Sequence, residues 1–309
     1  MTDFFTIRNY RPGDFRAYAR LHVEADRFDR SGRYISSRAL AEGLGRPNYS
    51  PEKDLFIVET DRKITGYIGL TPELGIGRVL LDCLVHPRYR RKGMATKLFP
   101  CAMQRAKALG AKLTQISIPE TNVAAKSLVS NLGFKFIRRF LELKMGFYNI
   151  RLPDVKHVAC IIRQLRSGEE NKLTEIQNRS FLGTWGFNPN TTEEILYRIK
   201  LSGCAPEDVI MAYEGDRPIG YCWTKVGPEK NAAGREAGGQ IHMMGVDPDY
   251  QEKGIGKEIL LTGLAHLRSK GIEVVKLTVD SENQAARSLY GSVGFEVCST
   301  TEWYEKAVS

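Results

Sequence analysis

The chain has 309 residues, 42% of them hydrophobic and 26% charged, the balance of a soluble globular protein with room for two domains. No apolar run approaches the roughly 18 residues of a membrane span, and the six cysteines are scattered with no CxxC pair or metal spacing. The net charge of +9 is uneven: residues 1–150 carry +12 and residues 151–309 carry −3. A basic half can meet nucleic acid, an anionic surface or a polyphosphate. Its Lys and Arg are spread out rather than gathered in one run with interleaved aromatics, which argues against nucleic acid. The start, MTDFFTIRNY, lacks a basic segment followed by an apolar stretch and a small-residue cleavage site. A cytoplasmic protein with reduced cysteines is expected.

In chain order, the first copy of an internal repeat runs from Ile7-Arg8 and Gly13 through Gly66-Tyr67 to Val85-His86-Pro87. YRRKGMATKL (Tyr89–Leu98) follows as a turn leading into a helix. A short strand and a helix opened by Asn122, within SLVSNLGF, complete it. The boundary is expected in Gly146–Asp154, giving domains 1–150 and 151–309. The second copy then repeats the series: Ile162-Arg163, Gly168, Gly220-Tyr221 and Val246-Asp247-Pro248. VIMAYEGDRPIGYCWTKV (Val209–Val226) holds a Gly-Asp turn between two apolar runs, a hairpin signal. GPEKNAAGREAGG (Gly227–Gly239) is the insertion that shifts the repeat offset from 154 to 161 residues, and it reads as an exposed loop. QIHMMGV reads as a strand. YQEKGIGKEI (Tyr250–Ile259) leads into a helix with apolar residues at Ile255, Ile259, Leu260, Leu264 and Leu267, stopped at Lys270-Gly271. KLTVD is a strand, and NQAARSLYGSVG a helix capped by Asn283 and ended by Gly294. Each copy thus reads as an α/β domain with a mixed, mostly antiparallel sheet flanked by helices. Copies of about 150 residues exceed the length of solenoid repeats and mark a duplicated domain.

Gln251-x-x-Gly254-x-Gly256 after a strand leaves backbone N–H groups at a helix start without intrahelical partners. Glycine lets a ligand approach the backbone closely, and the helix dipole favours an anion, typically phosphate. A glycine-rich turn of purely structural use remains the competing reading. A P-loop is excluded because Gln251 stands at its first Gly position and Glu258 follows Lys257; a Rossmann fingerprint is excluded because position 259 is Ile.

The combination of QxxGxG after a strand ending in VDP with NxxAxxLYxxxGF some thirty residues on resembles the GNAT (GCN5-related N-acetyltransferase) family. Arg90-Arg91-Lys92-Gly93-Met94-Ala95 fits the same pattern. The tandem arrangement is similar to that of the mycothiol synthases, which acetylate a small-molecule amine, although those carry an acid where Gln240 stands. The resemblance implies that acetyl-CoA is bound through its pyrophosphate at Gln251, Glu252, Lys253, Gly254, Ile255, Gly256 and Lys257, and through its pantetheine arm at Met244, Gly245 and Val246, with Asn283 flanking the thioester. The corresponding positions of the first copy are Cys83, Leu84, Val85, Arg90, Arg91, Lys92, Gly93, Met94, Ala95 and Asn122. The resemblance also implies direct attack in a ternary complex, with Tyr290 as the acid; the first copy has Val129 there and is expected to bind cofactor or act as scaffold.

For the base, Gln240 occupies the position of a common family Glu but takes no proton. His242, on the same face of an alternating strand, has an ordinary pKa near 6.5 that suits the task, and a water chain is an equal alternative. The nearest acids of the first copy are Asp82 and Glu120, and Trp185, Phe187 and Tyr221 are candidates to line the acceptor pocket. A protein N-terminal or lysine acetyltransferase, and a non-catalytic acetyl-CoA-binding module, stay open beside the small-molecule enzyme. No membrane and no metal are expected, and the protein is expected to be a monomer or homodimer.

Overall fold

The computed structural model describes residues 4–29, 35–148, 160–227 and 238–308. The chain forms two compact units, one of Met1–Arg138 with Thr301–Ser309, the other of Arg139–Thr300. In the first, β1 (Thr6–Asn9), α1 (Phe15–Asp29), α2 (Ser37–Leu44), α3 (Pro51–Asp54), β2 (Leu55–Thr60) and β3 (Lys63–Glu73) precede β4 (Arg78–Val85). Then come α4 (Met94–Ala108), β5 (Leu113–Pro119), α5 (Val123–Asn131) and β6 (Lys135–Gly146). The second begins with β7 (Ile161–Gln164), α6 (Glu170–Phe181), α7 (Thr192–Ile199), β8 (Val209–Glu214) and β9 (Arg217–Val226). It continues with β10 (Gly239–Val246), α8 (Ile255–Ser269), β11 (Val274–Asp280), α9 (Gln284–Ser292) and β12 (Glu296–Ala307). The elements follow the order read from the sequence. Gly215 makes the hairpin turn between β8 and β9 at φ 57°, and Gly271 and Gly294 end α8 and α9 in the left-handed region.

The first unit's sheet has the order β1-β2-β3-β4-β5-β12 and the second's β7-β8-β9-β10-β11-β6. Pairing is antiparallel except for β4–β5 and β10–β11, which are parallel. Last strands are exchanged: Thr301–Ala307 of β12 pairs with Leu113–Pro119, and Phe140–Gly146 of β6 pairs with Val274–Asp280. Each twelve-residue strand begins in one unit and ends in the other. It thereby covers a strand edge that would otherwise leave unpaired N–H and C=O groups. The expected boundary at 146–154 and the insertion at 227–239 fall largely on residues outside those described.

Each sheet is buried on both faces, so central strands read as apolar runs; β9 has seven consecutive buried residues. In the first unit Leu98, Phe99, Val129 and Phe134 cover one face, and Tyr18, Leu21 and Leu40 the other. In the second, Ile259, Leu260, Leu264 and Tyr290 oppose Leu173, Ile176 and Ile195 across the sheet. The repeat extends to ion pairs: Arg8 meets Asp14 at 2.6 Å, and Arg163 meets Glu169 at 2.7 Å. Among the described residues no helix is long and apolar enough to cross a membrane.

Candidate functional site

The glycine turn is built from the strand end outward. Asp247 is fully buried, accepts the Asp249 N–H at 3.1 Å, and is held by Arg179 at 3.0 Å and Arg217 at 2.9 Å. It caps a single 3-10 turn, Pro248–Tyr250, with proline at the position where a missing N–H costs nothing. The Gln251 side chain then donates to the Val246 carbonyl at 3.3 Å. Glu252 (φ 62°) and Gly254 (φ 83°) turn the backbone through the left-handed region into α8. Among the described residues no acceptor reaches the amides of Glu252, Lys253, Gly254, Ile255 or Gly256. Five N–H groups at the positive end of a helix form a concavity suited to an anion.

The first unit builds the same turn with other side chains. His86 Nδ1 accepts the Arg88 N–H at 3.2 Å, and Arg90 Nε donates to the Val85 carbonyl at 3.1 Å while its guanidinium pairs with Asp29. Arg91 (φ 63°) and Gly93 (φ 79°) repeat the left-handed pair. Arg90 and Gln251, expected among the ligand-binding residues, therefore spend their side chains fastening the turn to its strand. A Cβ on Gly93 would find nothing within 4 Å, so that position needs glycine for its backbone angle. A Cβ on Gly256 would make ordinary contacts at 3.5 and 3.7 Å, consistent with Ala95 in its place in the first unit. Ile255 and Met94 bury their side chains in the core and offer only amides. Lys92 and Lys253 lie over Tyr89 and Tyr250, and Lys257 is half-buried in the first turn of α8.

Beside each turn two parallel strands part. β10 pairs with β11 only at Gly239 and Gln240; β4 pairs with β5 only through Leu81. The Asp247 N–H points to Ile219 on β9, so by alternation the backbones of Val246 and Met244 face the edge that β11 has left, while Gly245 faces β9. In the first unit the His86 N–H points to Thr65, which turns Val85 and Cys83 outward and Leu84 inward. Each open edge can accept one extended ligand as an added strand. Of the two open-edged strands, β10 carries a bulge, with His242 as the extra residue between Ile241 and Met243, while β3–β4 pairing is regular. A Cβ on Gly245 would lie 2.5 Å from Ser180 Cβ and 3.0 Å from Tyr221 Cε1, so glycine there lets α6 and β9 close on β10.

Tyr290 packs its ring against Phe295 at 5.9 Å, and its side chain is buried. Burial, helped by nearby Cys222, holds its pKa above the ordinary 10 and keeps the phenol protonated. Met244 and Val246 of the open-edged strand pack against the same core cluster that holds Tyr290 and Cys222. Val129, its counterpart, is buried. Asn283 and Asn122 accept the Ala286 and Ala125 amides at 3.0 and 3.1 Å, capping their helices.

His242 departs from expectation. The bulge breaks the alternation that was to align it with Gln240, and its ring lies edge-on to Trp223 at 5.2 Å. Burial, with the charges of Lys225 and Arg198, lowers its pKa to about 3 instead of the expected 6.5. A group so weakly basic is neutral at any working pH and is a poor proton acceptor. Gln240 is exposed at the last paired position of β10 and β11. Tyr221 is fully buried, so it belongs to the core and does not line a pocket. Phe187 stacks on Phe181 at 5.3 Å and Trp185 tilts against Phe140 at 5.9 Å. Sequence reasoning missed Lys225 and Arg198, which act on His242 from β9 and α7 and carry no local signature.

Residues 18–134 and 171–295 each match the family model described as "Acetyltransferase (GNAT) family". The chain belongs to the GNAT acetyltransferase family. GNAT enzymes use an acyl-CoA as cosubstrate, and the free amides and open edges fit its pyrophosphate and its amide-bearing arm. Mycothiol acetyltransferase of Nocardia farcinica is 27% identical over 271 residues, 84% of each chain. That of Geodermatophilus obscurus is 29% identical over 255 residues, 79% of each. Among solved structures, a GCN5-related N-acetyltransferase from Sphaerobacter thermophilus superposes with a TM-score of 0.77 at 21% identity, covering 100% of this chain and 97% of its own. A tandem GNAT protein from the clavulanic acid biosynthesis pathway gives 0.74 at 14% identity, covering 99% of both chains. These two likenesses establish the fold.

Proposed function

We propose that the second unit transfers an acetyl group from acetyl-CoA to the amine of a small molecule, by direct attack in a ternary complex. The observation that carries this reading is the buried, protonated Tyr290 phenol in the core cluster against which Met244 and Val246 of the open, bulged β10 pack. Acetyl-CoA supplies an activated thioester. The amides of Glu252–Gly256 hold the pyrophosphate, and the outward backbones of Met244 and Val246 hold the pantetheine arm. The Met244 N–H polarises the thioester carbonyl, and Tyr290 donates its proton to the departing sulfur. His242, being neutral, accepts a hydrogen bond from the amine without taking its proton, which leaves through water. The first unit has the turn and the open edge but Val129 in place of the acid, and we assign it acetyl-CoA binding without transfer. The similarity to mycothiol acetyltransferases supports a small-molecule acceptor.

The test is acetyl-CoA consumption with mass spectrometry of products against a panel of amines, aminothiols and N-terminal peptides, with Tyr290→Phe alongside. One acetylated small amine, lost in the variant, is the expected result. Acetyl-CoA bound but intact against the whole panel would replace this reading with a non-catalytic binding module.

A further inference from the structure

The bulge of β10 is held from outside the sheet. A bulge interrupts the regular ladder, and β11 has already left the far edge, so strand pairing alone does little to fix the Met244 peptide. Support comes from α6. Gln177 is fully buried there, and its Nε2 donates to the sulfur of Met243, the residue between the bulge and Met244, at 2.8 Å. One turn on, Ser180 lies against Gly245, where a Cβ would stand 2.5 Å from Ser180 Cβ. The two contacts bracket Met244. Gln177 is itself held: its Oε1 accepts from Asn190 Nδ2 at 3.0 Å, and the Asn190 N–H and C=O are both tied to the Asn178 side chain at 2.9 Å. A leucine, like the buried Leu173 of the same helix, would fill this space with no amide to desolvate. What glutamine adds is its pair of hydrogen bonds, one to the bulged strand and one to Asn190.

The repeat places this clamp in one copy. An offset of 155 residues takes Gln177 to His22, Asn178 to Val23 and Asn190 to Ile35, with the helix caps Thr191 and Ser36 in register after them. An offset of 161 takes Met243 to Asp82. None of these first-unit positions carries a side-chain amide or a thioether, and the pairing of β4 with β3 has no bulge. Val129 stands there in place of the phenol. Clamp, bulge and proton donor thus occur together in the second unit and are missing together from the first.

We propose, on the assignment of acetyl transfer to the second unit, that Gln177 is a positioning residue for that transfer. By holding Met243 it fixes the bulge and aims the Met244 N–H at the thioester carbonyl, while Asn190 keeps the amide turned towards the strand. Gln177 touches no reacting atom. Its loss acts through Met244: the carbonyl is polarised less, although acetyl-CoA stays bound through its pyrophosphate and its arm.

The experiment reads the thioester directly, with no acceptor present. Acetyl-CoA carrying ¹³C at the acetyl carbonyl is bound to the full chain, and its infrared C=O band is compared with that of the free thioester. Gly93→Asp is present throughout: aspartate tolerates left-handed backbone and puts a negative charge in the first unit's anion cradle, so the second unit's ligand is the one observed. Gln177→Leu and the milder Met243→Leu are compared in this parent, with calorimetry for affinity and circular dichroism to verify folding. Gly263→Ala, where a Cβ would stand 2.7 Å from Cys222 Sγ, controls for stability lost elsewhere in the unit. The expected result is a band lowered on binding, with its displacement reduced by about half or more in Gln177→Leu and Met243→Leu, unchanged in Gly263→Ala, and affinity within about threefold throughout. Full displacement in Gln177→Leu, or an equal loss in Gly263→Ala, would overturn the positioning role and leave acetyl transfer standing. A band that does not move in the parent would overturn both.

Discussion

Tyr290 and Val129 hold the same place in the two copies, one able to donate a proton and one not. Tyr290→Phe keeps the ring and removes the donor, so turnover should fall about 100-fold or more while acetyl-CoA affinity, read by calorimetry, stays within about twofold. Since burial raises the phenol's pKa, its protonated form persists above pH 10, and rates should show no alkaline loss from this group below that pH. His242 makes a stability prediction. Its folded pKa of about 3 lies below the ordinary 6.5, so the folded state prefers the neutral ring. The associated stability is present above pH 6.5 and is lost as pH falls from 6.5 towards 3. His242→Gln should flatten that part of the profile in chemical denaturation; an unchanged slope would refute the assignment. Tyr290 was legible because a motif surrounds it. The environment of His242 was not, since a bulge is a count of residues against β9, and the string QIHMMGV alternates as well with one as without.

At the scale of elements, the turns were readable because left-handed backbone demands particular residues. Gly254 and Gly93 show in the sequence for that reason. Gly256 is less demanding, as Ala95 shows. Gly254→Ala should therefore lower stability by about 1 kcal/mol and weaken acetyl-CoA binding in the second unit, while Gly256→Ala should leave the melting temperature nearly unchanged. Equal losses for the two would contradict the geometry. The parting of β10 from β11 was not readable, because no side chain announces where a parallel ladder stops. Packing adds a further constraint: a Cβ on Gly263 would stand 2.7 Å from Cys222 Sγ, so Gly263→Ala should destabilise by roughly 1–3 kcal/mol in urea unfolding.

For the whole molecule, duplication was evident from the repeated strings, but exchange of the last strands was not. Local sequence specifies that Lys135–Gly146 and Glu296–Ala307 are strands; which edge each one covers is decided by where the chain goes next. A division at residue 150 leaves the first piece without Thr301–Ala307 against β5. A fragment of residues 1–150 should consequently aggregate or melt well below the full chain, and a peptide spanning 296–309 should raise its melting temperature. A fragment that melts like the intact protein would show the exchanged strand to be dispensable.

That exchange also has a consequence in time. The N-terminal unit cannot close its sheet when its own first 138 residues have been made, because its last strand is translated only after the whole of Arg139–Thr300. At about 5–20 residues per second, the intervening stretch of about 160 residues keeps the edge of β5 open for roughly 10–30 s on the ribosome. Through that interval the nascent chain presents Ile116 and Ile118 on an uncovered strand, and its solubility then rests on whatever shields that edge until β12 has been made.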